Sequence, residues 1–398
     1  MAPHESQPGY EPATRAVASG SGEAGFLSGR IPELDGVRGL AIMLVILCHY
    51  VANEISSTPR TAFNFLHIAL TFGWVGVDLF FVLSGFLIAG ILMDNRDSPH
   101  FFRTFYVRRV CRIFPIYYLW LGITIVLLIT GVPERLHNLF QPDVPFWSYF
   151  TYTQNLLLPR LGDFGNEWFG VTWSLAVEEQ FYLFFPLLVR FCPLARLPRW
   201  LAIFALSAVV FRVVAYFVFP APGLTGFVLL PARWDSLCLG ALLAWLVRKQ
   251  EFVEAAKRHE RIFWIAGGLI LLTLAGLRAV HQGDLRSPAM HFVGLTLLAV
   301  FFCGLVFLAL YSERQWIKNF FCNEWLRKLG RISYGVYILH QPVSYFIFGL
   351  LWRQVPRMSS FPRAMTTVLA LGTTLGLATL SWKCFESKFV NWGRKFAY

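Results

Sequence analysis

Apolar residues in this chain fall in long unbroken runs separated by short polar, mostly basic stretches. The runs lie at about residues 36–55, 72–93, 113–130, 171–191, 200–219, 225–247, 262–279, 291–311, 332–352 and 364–384. Each is close to the roughly 20 residues that carry a helix across a bilayer core. In lipid, only helices and closed barrels satisfy every backbone donor and acceptor. These runs are too long and continuous for the alternating strands of a barrel. The pattern therefore predicts an all-α polytopic bundle of about ten transmembrane helices, of which the fourth and sixth carry internal charge. Segment 144–158, VPFWSYFTYTQNLLL, is aromatic but short, and suits an interfacial or re-entrant piece.

Residues 1–30 read differently, rich in Pro, Gly, Ser, Ala and Glu with no apolar leader core before Ile31. They are expected to form a flexible cytoplasmic tail. The membrane domain is expected over 31–388, with 389–398 as a short cytoplasmic C-terminal tail.

Composition sharpens the membrane reading. The chain is 56% hydrophobic and only 15% charged, against about 25% charged in soluble domains. Its net charge of +12 comes from Lys and Arg gathered at the helix ends of one side, including Arg103, Arg199, Lys257, Lys318 and Lys388. The positive-inside bias then puts both termini in the cytoplasm, with Arg353, Arg357 and Arg363 as the main exception. Scattered charge of this kind does not build a nucleic-acid stripe. Seven cysteines without a Cys-x-x-Cys spacing indicate neither a disulfide framework nor a metal site.

Ionisable residues inside the runs ask for an explanation, because lipid tolerates them only against protein, water or ligand. Arg38 and His49, in LDGVRGLAIMLVILCHY, are eleven residues apart. On an α-helix that puts both on one face, about 16 Å apart along the axis. Cys48 beside them points elsewhere and reads as a small hydrophobe. Glu178 and Glu179, in TWSLAVEEQFYLFFP, cannot share a face. One of them is accounted for by a helix N-terminus, both less easily. In FFRTFYVRRVCRIFPIYYLW, Arg108 and Arg112 share a face with Arg109 beside them. That is either a phosphate-binding set or a positive-inside anchor. Arg233 and Asp235 lie within one run, where pairing with each other or across helices is the default. His340 follows Ser333 and Tyr337 in LRKLGRISYGVYILHQP, and a lone buried His is most often a hydrogen-bonded packing group. Asp78 and Ser84 sit in GVDLFFVLSGFLI, where Ser84 and Gly85 also suit close helix packing.

Taken in order, these passages resemble the integral-membrane acyltransferase-3 family. The match runs through LDGVRGLAIMLVILCHY, WVGVDLFFVLSGFLIAGIL, FYVRRVCRIFPIYYLW, TWSLAVEEQFYLFFPLL, RWDSLCLGALLAW and GRISYGVYILHQP, roughly residues 33–345. The resemblance implies a membrane O-acyltransferase that moves an acyl group, acetyl foremost, from cytoplasmic acyl-CoA to a hydroxyl of a carbohydrate or other extracytoplasmic acceptor. It implies Arg38 and His49 as the essential pair and Glu178 as the essential acid. Arg108, Arg109 and Arg112 become candidates for the donor. Asp78, Ser174, Glu179, Arg233, Asp235, Tyr337 and His340 remain further candidates. It also implies a bacterial inner membrane and no permanently bound cofactor. The esterase-like domain that some members append is not expected here.

Acyl transfer needs a base for the acceptor hydroxyl and charge stabilisation at a tetrahedral centre. His49 is expected as general base with Glu178 orienting its ring, or as a transient acyl carrier. Arg38, nearer the cytoplasm, is expected to hold the donor. The competing reading is a proton-coupled transporter or flippase of a glycan-type substrate, which also uses intramembrane ionisable residues. No internal repeat supports it.

Overall fold

The computed structural model describes residues 31–52, 54, 70–131, 144–165, 168–280, 283, 284 and 286–398. The expected tail over 1–30 lies outside the described residues. The fold is all-helical, with no strand among the described residues. Its long helices are α1 (Pro32–Ile46), α2 (Gly76–Asp94), α3 (Phe101–Thr130), α4 (Trp173–Phe191) and α5 (Leu197–Val218). The second half holds α6 (Leu230–Leu246), α7 (Glu260–Ala279), α8 (Leu295–Tyr311), α9 (Glu324–Trp352) and α10 (Phe361–Ser381).

Among the described residues the apolar runs are thus helical, and eight of the helical segments are long and apolar enough to cross a membrane. The expected count of about ten is not reached on length and composition, because α4 and α9 fall outside the eight. The reason is polar content: α4 carries Glu178, Glu179 and Arg190, and the apolar part of α9 is interrupted by His340, Gln341, Pro342 and Ser344. On α9, His340 and Ser344 are buried, so protein replaces lipid around them. The third run grows in the other direction. Phe101–Thr130 is one 30-residue helix about 45 Å long, longer than the ~30 Å hydrocarbon core, so its arginine-bearing end extends beyond the apolar layer.

Local sequence sets several helix starts. Proline occupies the first turn of α1, α5, α6 and α10, where its missing N–H is no loss. Asn323 caps α9 by accepting from the backbone N–H groups of Trp325 and Leu326. Segment 144–158 is not a crossing helix. It forms short turns pinned by Tyr117 and Tyr118, which donate to the carbonyls of Tyr149 and Phe150 at 2.8 and 2.7 Å.

Two close crossings organise the bundle: α1 packs on α9, and α2 on α6. A Cβ on Gly39 or Gly330 would run into the carbonyl of Leu326 or Asp35, and one on Gly85 or Gly240 into that of Leu237 or Val82. Hydrogen side chains let these backbones touch. Gly240→Ala is expected to cost about 1–3 kcal/mol by overpacking and to lower the melting temperature in detergent. Gly372→Ala, with open space at its Cβ, is expected to leave it unchanged or slightly raised. Equal melting temperatures for the two variants would contradict the crossing. Farther out, α5, α7 and α10 present Leu206, Phe217, Leu272, Phe361 and Leu380 outward, an apolar belt that only lipid covers without penalty.

Candidate active site

Helices α1, α2, α3, α4 and α9 line the smaller of two adjacent cavities, and the turn after α1, parts of α2, α4 and α9 and several connecting segments line the larger. The smaller, about 110 Å³, is lined by Arg38, Ser84, Arg109, Arg112, Glu178 and Tyr337 among others. Arg109 and Arg112 reach it together because i and i+3 share a helix face. Ser84 and Tyr182 are hydrogen-bonded to each other, and both hold the Glu178 carboxylate. Arg38 reaches back to Asp35 at 3.3 Å. Three guanidinium groups around one carboxylate leave the pocket net positive, a setting for an anionic ligand.

The larger cavity, about 670 Å³, lies against the far end of α1. His49, Glu54, Trp74, Trp173, Phe227 and His340 supply much of its wall. His49 sits in a π turn, Leu47–Ala52, that closes α1; such turns widen the helix and recur at functional sites. Its Nδ1 lies 2.9 Å from the Val45 carbonyl. A carbonyl only accepts, so Nδ1 carries the proton and Nε2 offers a lone pair. Glu54 accepts from Ser344 at 3.4 Å and from Thr367, tying the end of the turn to α9 and α10.

Val77 and Tyr337 line both cavities, so the two meet there. Tyr337 Oη stands 2.6 Å from Ser174 Oγ, and both hydroxyls reach the Val171 carbonyl, at 2.9 and 3.1 Å. Ser174 and Tyr337 therefore stand at the divide.

This geometry corrects several expectations. Glu178 does not orient His49: it belongs to the arginine pocket, while the imidazole rests on Val45 and beside His340. Arg38 and His49 open onto different cavities. Arg108 leaves the arginine set, because its Nε donates to the Phe396 carbonyl at 3.0 Å and its guanidinium stacks over Tyr398. Residues beyond α10 thus fold back on α3. Asp78, Arg233 and Asp235 line neither cavity. Arg233 pairs across helices with Asp78, and Asp235 pairs with Arg212 at 2.8 Å, all with fully buried side chains. Glu179 also lines neither cavity, and its Oε1 is buried without a hydrogen-bond partner among the described residues. Sequence reasoning passed over Arg212 and Glu54. A cation in the middle of LSAVVFRVVAYFV and an acid near the end of the first run were the available signals.

A polytopic helical bundle with a lipid-facing belt and two adjoining cavities, one lined by arginines and one by two imidazoles, defines an integral membrane protein with polar side chains gathered inside the bundle. Residues 31–383 match the acyltransferase domain family (acyltransferase-3), and the chain belongs to it. It is 25% identical over 392 residues to peptidoglycan O-acetyltransferase OatA of Listeria monocytogenes, covering 92% of this chain and 57% of that protein. It is 28% identical over 330 residues to the putative peptidoglycan O-acetyltransferase YrhL of Bacillus subtilis, covering 79% of this chain and 48% of that one. With O-acetyltransferase OatA of Staphylococcus aureus it shares 25% identity over 388 residues, 92% of this chain and 58% of that one. The chain thus spans about half the length of these curated relatives. No solved structure matches it.

Proposed function

We propose that the protein is an O-acyltransferase of the bacterial inner membrane, with both termini cytoplasmic. It takes an acyl group, acetyl foremost, from acyl-CoA in the arginine pocket and delivers it to a hydroxyl of a carbohydrate in the His49 cavity. The observation that carries this reading is the meeting of a cationic pocket and an imidazole-lined cavity at Val77 and Tyr337. Arg38, Arg109 and Arg112 suit the phosphates or thioester end of the donor. The arginine end of α3 is on the basic side of the bundle, which the positive-inside bias assigns to the cytoplasm. The larger cavity has the size of a ligand pocket and offers Trp74, Trp173 and Phe227 as faces for sugar rings. A glycan acceptor is supported by the names of the relatives, which are O-acetyltransferases of peptidoglycan.

In the reaction, His49 Nε2 takes the proton of the acceptor hydroxyl as its oxygen attacks the thioester carbonyl. The Ser174 and Tyr337 hydroxyls stand at the divide with their protons on the Val171 carbonyl, and turning either proton away from that carbonyl would supply a donor to the oxyanion. Collapse breaks the C–S bond, and coenzyme A leaves as thiolate. The test is purified wild-type protein with radiolabelled acetyl-CoA and a glycan fraction from the host envelope. Label in the glycan together with released coenzyme A supports transfer. Glycan movement across vesicles with acetyl-CoA left intact would replace it with the transporter reading. Protein-bound label in the absence of acceptor would mark an acyl-His49 intermediate between the same donor and acceptor.

A further inference from the structure

His340 is fully buried on α9, three residues past Tyr337. Its Nδ1 lies 2.8 Å from the Tyr337 carbonyl, so that nitrogen carries the ring proton and Nε2 keeps a lone pair. This much fits a packing histidine. Nε2 does not, because it is buried and has no hydrogen-bond partner among the described residues. A buried polar atom left unpaired is costly and rare. The ring beside it is that of His49, with centroids 4.9 Å apart and planes at 68°. His49 is tied in the same way, through Nδ1 to a carbonyl of its own helix. Neither backbone drifts easily: Tyr50, next to His49, donates to the His340 carbonyl at 2.7 Å and meets Thr374 at 2.8 Å.

We propose that His340 is the proton-sharing partner of His49, a positioning residue for acyl transfer. The inference rests on the acyl-transfer reading of His49 given above. The acceptor O–H breaks and an N–H forms on His49; the C–O bond forms, and the C–S bond breaks. The proton gained by His49 is then shared with the waiting lone pair on His340 until it leaves to the thiolate or to water. The pair holds one proton, since two imidazolium rings this close repel.

Other groups around the cavity are engaged elsewhere. On the same turn, Tyr50 is tied to α9 and α10 and Cys48 reaches the Thr71 carbonyl, and just past the turn Glu54 is held by Ser344 and Thr367. On α9, Tyr337 is bonded at Ser174, and Tyr345 completes the wall. At the rim, Arg278 pairs with Asp284, and Arg286 with Asp163. His340 is the group whose ring meets that of His49 edge-on.

The test is the pH dependence of kcat for full-length wild type, His340→Ala and His340→Gln, each checked for a monodisperse fold, with acetyl-CoA and glycan as substrates. Loss of the shared acceptor is expected to move the acid limb to lower pH in both variants. It is also expected to lower kcat about tenfold, less than the ~10²–10⁴ expected of the base itself, with the acetyl-CoA KM within about twofold. An acid limb that stays at its wild-type position, with the rate restored by glutamine, would reduce His340 to packing and overturn the proposal. Absence of transfer in wild type would overturn the acyl-transfer reading alone. The pair is then read by ¹⁵N NMR of histidine-labelled protein. His49 titrating at lower pH in His340→Ala supports sharing, and coincident titration overturns it.

Discussion

His49→Ala is expected to lower acyl transfer by about 10²–10⁴-fold, the range for removing a general base, while the protein remains folded and still binds acyl-CoA. The residue is part-buried, its Nδ1 is satisfied by Val45, and it lines the larger cavity. Truncation removes a lone pair where the acceptor is expected and leaves the arginine pocket intact. The loss should therefore fall on kcat, with little change in donor KM. His49→Gln should not restore the rate, because an amide cannot accept the proton. Transfer within a few-fold of wild type in either variant would remove His49 from the chemistry.

Arg233→Ala is expected to destabilise the fold by about 3–5 kcal/mol, the cost of leaving a buried carboxylate without its partner. Arg233 and Asp78 are both fully buried and pair between α6 and α2, the same two helices that touch at Gly85 and Gly240. The guanidinium also lies over the rings of Phe81 and Phe227, at 5.3 and 5.0 Å. Phe227 forms part of the His49 cavity wall, so a loosened pair is felt at the acceptor side. Replacing both charges, Asp78→Leu with Arg233→Leu, should recover much of the loss. Unfolding in detergent, followed by fluorescence, measures it. A loss below about 1 kcal/mol for Arg233→Ala would put the pair at the level of surface ion pairs.

Much of this fold is legible in the sequence because lipid makes the apolar run and the helix nearly the same thing. What the runs do not carry is how helices cross. Pairing of Arg212 with Asp235, and of Arg233 with Asp78, depends on which faces of α5, α2 and α6 meet. That is set by glycines such as Gly85 and Gly240, whose contacts lie far away in sequence. Spacing weighs against pairing of Arg233 with Asp235, since i and i+2 face apart on a helix, but does not say which partner each finds.

The site was legible in its residue types and less so in its grouping. Arg38, Arg109, Arg112 and Glu178 do come together. Regular α geometry, however, does not foresee the π turn at Leu47–Ala52 that presents His49 to a separate cavity. Arg108 shares a helical face with Arg112 by spacing, yet residues 396–398 claim it. A tail predicted as merely cytoplasmic gave no sign of that contact. His340 looked like a packing group because one of its nitrogens is one; the other shows its character only beside His49.

The central claim is a division of labour between two cavities, and one paired measurement bears on it most directly. Binding of radiolabelled acetyl-CoA and transfer of its label to glycan are measured on the same purified samples of wild type, Arg112→Ala and His49→Ala. The account predicts that Arg112→Ala weakens donor binding, by about tenfold or more for a lost charge-assisted contact. It predicts that His49→Ala binds donor as wild type does and fails to transfer. Donor binding lost in His49→Ala as in Arg112→Ala, or transfer retained by His49→Ala, would contradict it.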